Sequence, residues 1–272
     1  MEGKQMLAIS IKKQGYGSIA FLERNFALIR RYLGWEVVFL VYNVMNALAI
    51  GLIGVRLGKE MVMYLVVGAM VWGFLSILFH EISESIAWER WEGTIEYTFM
   101  APISRFTHLI GNCLFAVVYG TIRSVLLLFC VVFFFRISIQ GANFLSLFVV
   151  LVVSGLSFVG LGLVAAVLPL LSTEKGAYAT HIFEAILLLL SGVYYEIEVL
   201  PAWIRPLSFA SPATYTLRAM RAALLHGAGL KELWGSVLLL LGIGIILIPL
   251  GIIVFRQAEY YAKKHGKLKR SG

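Results

Sequence analysis

The 272-residue sequence contains no aspartate and only two cysteines. Aspartate is the residue that most Mg2+-nucleotide sites use to hold the metal, so its absence argues against an ATPase centre within this chain. Cys113 and Cys130 fall in one predicted helix, seventeen positions apart. A rise of ~1.5 Å per residue separates them by ~25 Å, far beyond disulfide reach. They read as apolar filler and leave the redox compartment undecided. Charge is also scarce, with 14% charged against 60% hydrophobic residues and a mean hydropathy of +0.87. Soluble domains are roughly half apolar and about a quarter charged, so the composition is that of an integral membrane protein. The net charge of +8 does not indicate nucleic acid, because in such a chain the placement of Lys and Arg reports orientation. The first residues are mixed and charged, without the short apolar core and small-residue cleavage site of a signal peptide.

Several catalytic motifs are missing. The nearest approach to a phosphate-binding loop, "GLIGVRLGKE", has Ile53 at the first glycine position, and Glu60 where a hydroxyl should hold Mg2+ after Gly58 and Lys59. No HExxH, GxSxG or paired-cysteine motif appears, leaving membrane protease or esterase chemistry unsupported. Two His-Glu pairings share a helical face, His80 with Glu84 and His181 with Glu184. A metal site wants three or four ligands, so each is expected to be a polar pair near a membrane boundary, with no metal bound.

Long apolar runs are what the chain has in quantity. A membrane helix needs ~20 largely apolar residues, and six runs meet or approach this: Glu36 to Val55, Met61 to His80, Leu109 to Phe135, Leu145 to Leu171, Ala179 to Tyr195 and Leu233 to Phe255. The fifth is the shortest. An even number puts both termini on one side. Ahead of the first run, Ile19, Leu22, Phe26, Ile29 and Leu33 recur at helical spacing with Arg24, Arg30 and Arg31 between them. That pattern predicts an amphipathic interfacial helix, or alternatively an extension of the first span. The fold class expected is all-α integral membrane, as one transmembrane domain: a cytoplasmic segment over 1–34, six spans over 35–255 and a basic tail over 256–272. Both tail and N-terminal segment carry six Lys or Arg, and with Arg90, Arg105 and Lys175 the count is fifteen on that side against seven on the other. The positive-inside rule then makes both termini cytoplasmic, in the cell membrane. The loop before the sixth span is external, long and half apolar, and Pro201, Pro206 and Pro212 cut it into short pieces. Such a loop predicts short helices re-entering the outer leaflet, buried against protein.

Polar residues within spans mark protein-facing surface, since an ionised group in hydrocarbon costs at least ~2.5 kcal/mol. Asn43 and Asn46 share a face of the first span, and Asn112, Tyr119 and Arg123 form a stripe on the third. Arg123 is ~21 Å in from Leu109, whereas Glu184 lies only a turn and a half into the fifth span, so no direct ion pair between them is expected in straight helices. The stripe, with His181 and Glu184, is a candidate for a substrate pathway or for hydrogen-bonded glue worth ~0.6 kcal/mol per contact. Ser154, Gly162 and Ala166 on the fourth span are small enough for close helix approach.

Between the second and third runs lies "WERWEGTIEYTFMAPISR". Trp88, Trp91 and Ile95 recur at three and four, and Glu89, Glu92 and Glu96 follow one step round. One face suits an aromatic anchor and the next suits basic groups on a partner. Gly93 and Pro102 let the chain turn back to the membrane.

This segment resembles the cytoplasmic stretch of ABC-2 type ABC transporter permeases, with Glu92, Gly93, Thr94, Glu96, Pro102 and Arg105 at the positions of the family's Glu-Gly-Thr, Glu and Pro-x-x-Arg pattern. A second resemblance is external, at Ser191, Gly192, Pro201, Trp203, Pro206, Pro212, Tyr215 and Arg221, with Ser211 replacing the usual Asn and Glu196 standing near a common Pro. With six spans and the interfacial helix in order, the resemblance covers essentially the whole chain. It implies a permease subunit, not itself an enzyme, that pairs with a second permease subunit, as homodimer or heterodimer, and with two cytoplasmic ATPase subunits that hold ATP and Mg2+. It further implies that the segment from Trp88 to Arg105 carries a coupling helix docked in an ATPase groove, and that the cargo is a hydrophobic or amphiphilic compound moved outward by alternating access. No cofactor is implied in this chain. Two rival readings are a membrane-integral lipid-modifying enzyme using His80, His108 or His181, and an ion-coupled transporter or channel using Arg123 and Glu184.

Overall fold

Backbone amides crossing hydrocarbon must find their partners within the segment, which only a helix allows a single run of chain. The computed structural model accordingly contains helices and no strand among the residues it describes, 2–100, 104–137 and 141–266. The side chains of 2–13, Trp91, Glu96, Phe99, Arg105, Phe106, Thr173, Glu174 and Ala177 also lie outside the described set. Pro102, and Lys267, Lys269 and Arg270 of the tail, fall outside it as well.

The elements are α1 (Glu2–Arg31), α2 (Leu33–Gly54), α3 (Lys59–Glu92), α4 (Ile95–Met100), α5 (Arg105–Phe135), α6 (Phe144–Ala165), α7 (Val167–Leu171), α8 (Thr173–Leu190), α9 (Arg205–Ser208), α10 (Pro212–Leu225) and α11 (Trp234–Lys264). Five helical stretches are long and apolar enough to cross a membrane: Leu33–Leu57, Lys59–Arg90, Thr107–Phe135, Phe144–Leu171 and Trp234–Lys264. The fifth expected run is different, because its helix, α8, has a shorter apolar portion, Tyr178–Leu190.

α3 is the axis of the bundle. Phe74, Leu75, Leu78, Phe79 and Ile82 are wholly buried, and 72% of its most apolar window lies inside the protein, against 22% for α2 and 28% for α5. The outward faces of α2 and α5, with Val37, Val38, Phe39, Phe129 and Phe133 exposed, are left for lipid or another subunit. α6 packs most extensively on α11. Gly160 of α6 lies against Leu247, and Gly251 of α11 against Leu163, with no room for a Cβ at either glycine. Of the small residues expected to allow close approach, Gly162 faces Ile82 of α3, and Ser154 and Ala166 are fully buried.

The N-terminal helix is longer than the sequence pattern suggests, and its inner face is rotated. It packs along the start of α5, placing Phe21 on His108 and Phe26 edge-on to Phe115, whereas Ile19 and Leu33 are half exposed. The chain breaks at Tyr32, so α1 is a helix separate from α2.

The loop after α8 contains a 3-10 turn over Ile197–Val199, then α9 and α10, with Pro206 and Pro212 in the first turns of the two helices. α10 is buried against α3, α6 and α11. Its Thr216 hydroxyl donates to Ser154 Oγ at 2.8 Å. Ser154 is ten residues into α6, or ~15 Å along its axis. At that depth the interrupted backbone is surrounded by hydroxyls: Ser191 and Ser211 are 2.7 Å apart, and Thr214 donates to the Ser208 carbonyl at 2.8 Å.

Candidate functional site

At the end of α3, Gly93 takes φ +74. Its N–H donates to the Arg90 carbonyl, and that of Thr94 to the Glu89 carbonyl, the double closure that a left-handed residue gives a helix C-terminus. This stop is the turn expected at Gly93, and it puts Ile95 and Glu96 on a helix separate from Trp88 and Glu89. Ile95, on α4, is wholly buried, while Trp88 remains 56% exposed. Glu89 corrects the expectation: its carboxylate points inward rather than joining an outward row with the exposed Glu92. Its Oε1 accepts from Arg24 Nη1 of α1 and lies against His108 Nε2 of α5, both at 3.1 Å. A carboxylate desolvated to 5% exposure needs such partners. Asn112 extends the cluster, with Nδ2 3.1 Å from His108 Nε2 and 3.2 Å from Ser85 Oγ, and Oδ1 accepting from Asn25 at 3.1 Å. Beside it the fully buried Arg90 donates to the Pro169 and Leu170 carbonyls of α7 at 2.9 and 3.0 Å. Arg90 is therefore an internal tether rather than a loop charge. Large apolar and aromatic side chains are also exposed at this end: Tyr97 and Met100 of α4 at 74% and 80%, and Trp88 near the end of α3. Thr94 is also exposed.

Deeper in the bundle, a cavity of about 250 Å3 lies between α2, α3 and α5, lined by Asn43, Asn46, Ser76, Arg123 and Ser124 among apolar side chains. Arg123 Nη1 donates to the Tyr119 hydroxyl at 2.7 Å, and that hydroxyl donates to the Glu36 carboxylate of α2. Nη2 of Arg123 is buried without a hydrogen-bond partner. A second cavity, about 230 Å3 and almost entirely apolar, lies between α5 and α6. Met70 and Ser124 line both. The expected stripe on α5 is thus divided: Arg123 lines the polar cavity with Tyr119 bonded behind it, whereas Asn112 belongs to the Glu89 cluster. His181 and Glu184 are in neither, but on α8, facing His80 of α3. The Arg123 hydrogen bond runs to Tyr119, and Glu184 Oε2 stands 3.8 Å from Nδ1 of both His80 and His181.

The profile of the ABC-2 type transporter family covers residues 18–225. The chain belongs to that family. It is 29% identical over 155 residues to a protein named "Probable multidrug ABC transporter permease YbhR" of Escherichia coli strain K12, an alignment covering 57% of this chain and 41% of that protein. It is 27% identical over 181 residues to "ABC transporter G family member 20" of Dictyostelium discoideum, covering 65% of this chain and 24% of that protein. The chain therefore spans well under half the length of these curated relatives in the aligned region.

In this ABC-2 type chain, several residues at the sites are ones that periodicity passes over. Glu36 supplies the acidic end of the Arg123 chain, and its only sequence mark is a carboxylate at the mouth of an apolar run. Arg24 and His108 neutralise Glu89 from helices 65 and 19 residues away in sequence. Tyr97 and Met100 go unmarked because the helical register is reset at Gly93.

Proposed function

We propose that this chain is the membrane subunit of an ATP-driven exporter in the cell membrane. Two permease chains form the pathway, and two separate cytoplasmic ATPase subunits bind ATP and Mg2+. The Gly93 end is cytoplasmic, as are both termini. α8 and the re-entrant α10, joined through Ser191 and Ser211, together fill the place of a sixth span. α1 lies in the cytoplasmic interface.

The observation that carries the reading is the exposed Trp88, Tyr97 and Met100 surface at the end of the central helix. Large apolar side chains exposed at the end of a span and on the short helix after it favour a protein partner, and aromatic anchors are what interface hot spots are made of. α4 then acts as the coupling helix, and α3 carries displacement inward from it. The cargo is a hydrophobic or amphiphilic compound. A polar cavity and an apolar one sharing Met70 and Ser124 suit a molecule with a hydrogen-bonding head and an apolar body.

The test is capture of the ATPase subunit encoded beside this chain, followed by substrate-stimulated hydrolysis in the reconstituted complex. Replacing Trp88 and Tyr97 together by Ala should weaken association by about 2 kcal/mol or more, roughly thirtyfold in Kd. The yield of folded permease should stay unchanged, because both side chains are outside the packed core. Unaltered capture and coupling in the double variant would reject α4 as the contact.

A further inference from the structure

We propose that His80, His181 and Glu184 form a binding site for a divalent transition-metal ion of the Zn2+ type, fastening α8 to α3. In sequence each His-Glu pairing offers two ligands on one helix, too few for a metal. The fold recombines them, bringing His80 of α3 to the His181 and Glu184 pair of α8. One ligand atom from each of the three lies within 4.8 Å of the others. Nδ1 of both histidines is 3.8 Å from the same Glu184 Oε2, and the ring centroids are 5.0 Å apart.

At 3.8 Å neither contact is a hydrogen bond. Glu184 is 7% exposed, and a carboxylate so desolvated needs a positive partner. An ion between the three groups provides one. Two imidazoles and a carboxylate are a zinc ligand set, and three protein ligands leave a fourth position for water. His80 Nδ1, the atom that faces Glu184, also lies 2.9 Å from the Ser76 carbonyl, so the His80 ring would turn on binding to present a nitrogen lone pair to the ion. Zinc–ligand bonds of ~2.0–2.2 Å put tetrahedral ligands ~3.4 Å apart, so the cluster must close by ~1 Å. The His181 side chain, 58% exposed, has room to swing inward. The ion would join the short helix to the bundle axis through side chains alone, and would resist any sliding of α8 along α3.

The experiment uses the full chain in detergent, freed of any polyhistidine tag, with Zn2+ alone as the probe and a competing chelator dye as the readout. The wild type should bind one ion per chain and unfold at a higher temperature with Zn2+ than without. H181A, H80Q and E184Q should each weaken binding at least about tenfold, since losing even an outer-sphere partner costs that much, and should lose the thermal shift. H265Q, on the exposed end of α11, should do neither. Since His181 is exposed, H181A tests the site without disturbing the core. Failure of the wild type to bind at Zn2+ up to about 0.1 mM, or H181A binding as tightly as the wild type, would overturn the proposal.

Discussion

The two ends of α3 solve opposite problems. At the Gly93 end charged side chains tie one helix to another: Glu89 to side chains of α1 and α5, Arg90 to the carbonyls of α7. At the far end the backbone itself is interrupted, and side chains are used to satisfy it. Arg221 donates to the Val193 carbonyl at 2.7 Å and lies over the Tyr64 ring, 3.4 Å from its centroid. Serine and threonine hydroxyls serve the rest. The contrast follows from the requirement that irregular backbone at membrane depth be covered by protein groups.

That contrast can be broken by substitution. The largest effect is expected for Arg90→Ala, which empties a wholly buried site and leaves two carbonyls without their charged donor, at about 2 kcal/mol each. Yield should collapse, or the thermal unfolding midpoint in detergent should drop sharply; a wild-type midpoint would show that α7 is held by other means. Glu89→Ala comes next at about 3 kcal/mol, the low end for breaking a buried pair, because Arg24 is 41% exposed and solvent takes up part of its charge. If Glu89→Ala is neutral, the cluster is not what fixes α1 to α5. Thr216→Val removes one hydroxyl contact among several and should cost ~0.6 kcal/mol; a loss comparable with that of Glu89→Ala would erase the distinction between the two ends. The smallest effect on stability is expected for Arg123→Leu, which removes charge without leaving a buried cation. Its consequence should appear in transport, as a changed rate or substrate preference in vesicles. Wild-type transport at wild-type stability would exclude Arg123 from both pathway and packing.

Much of the fold was legible because hydrophobic run length is a local property. The N-terminal ends of α2, α3, α5, α6 and α11 fall within a few residues of the apolar runs, whereas α3 and α11 continue past His80 and Phe255 to Glu92 and Lys264, as helices that outlast their apolar stretch. The proline-cut loop was legible for the same reason, since Pro206 and Pro212 permit only helix starts. The candidate site was legible where a residue type is costly in lipid, as with Arg123, Asn43 and Asn46. It was not legible where the outcome depends on which helices meet. Glu89 and Glu92 look alike in sequence, and only the packing of α1 and α5 makes one an internal ion-pair partner and leaves the other in solvent. The Trp88, Trp91 and Ile95 repeat misleads for a related reason: it runs across the turn at Gly93, which puts Ile95 on a separate helix. His80 and His181 are 101 positions apart, beyond the reach of any spacing rule.

α3 runs for 34 residues without a break, about 50 Å at ~1.5 Å per residue. Nearly three quarters of its most apolar window is covered by neighbours, so any tilt would be that of a stiff rod held near its middle. A tilt of about 5° would shift each tip by roughly 2 Å. Arg221 is held to α3 at the Tyr64 ring and carbonyl, so a tilt of that size would move Tyr64 relative to Arg221 at the end opposite Gly93.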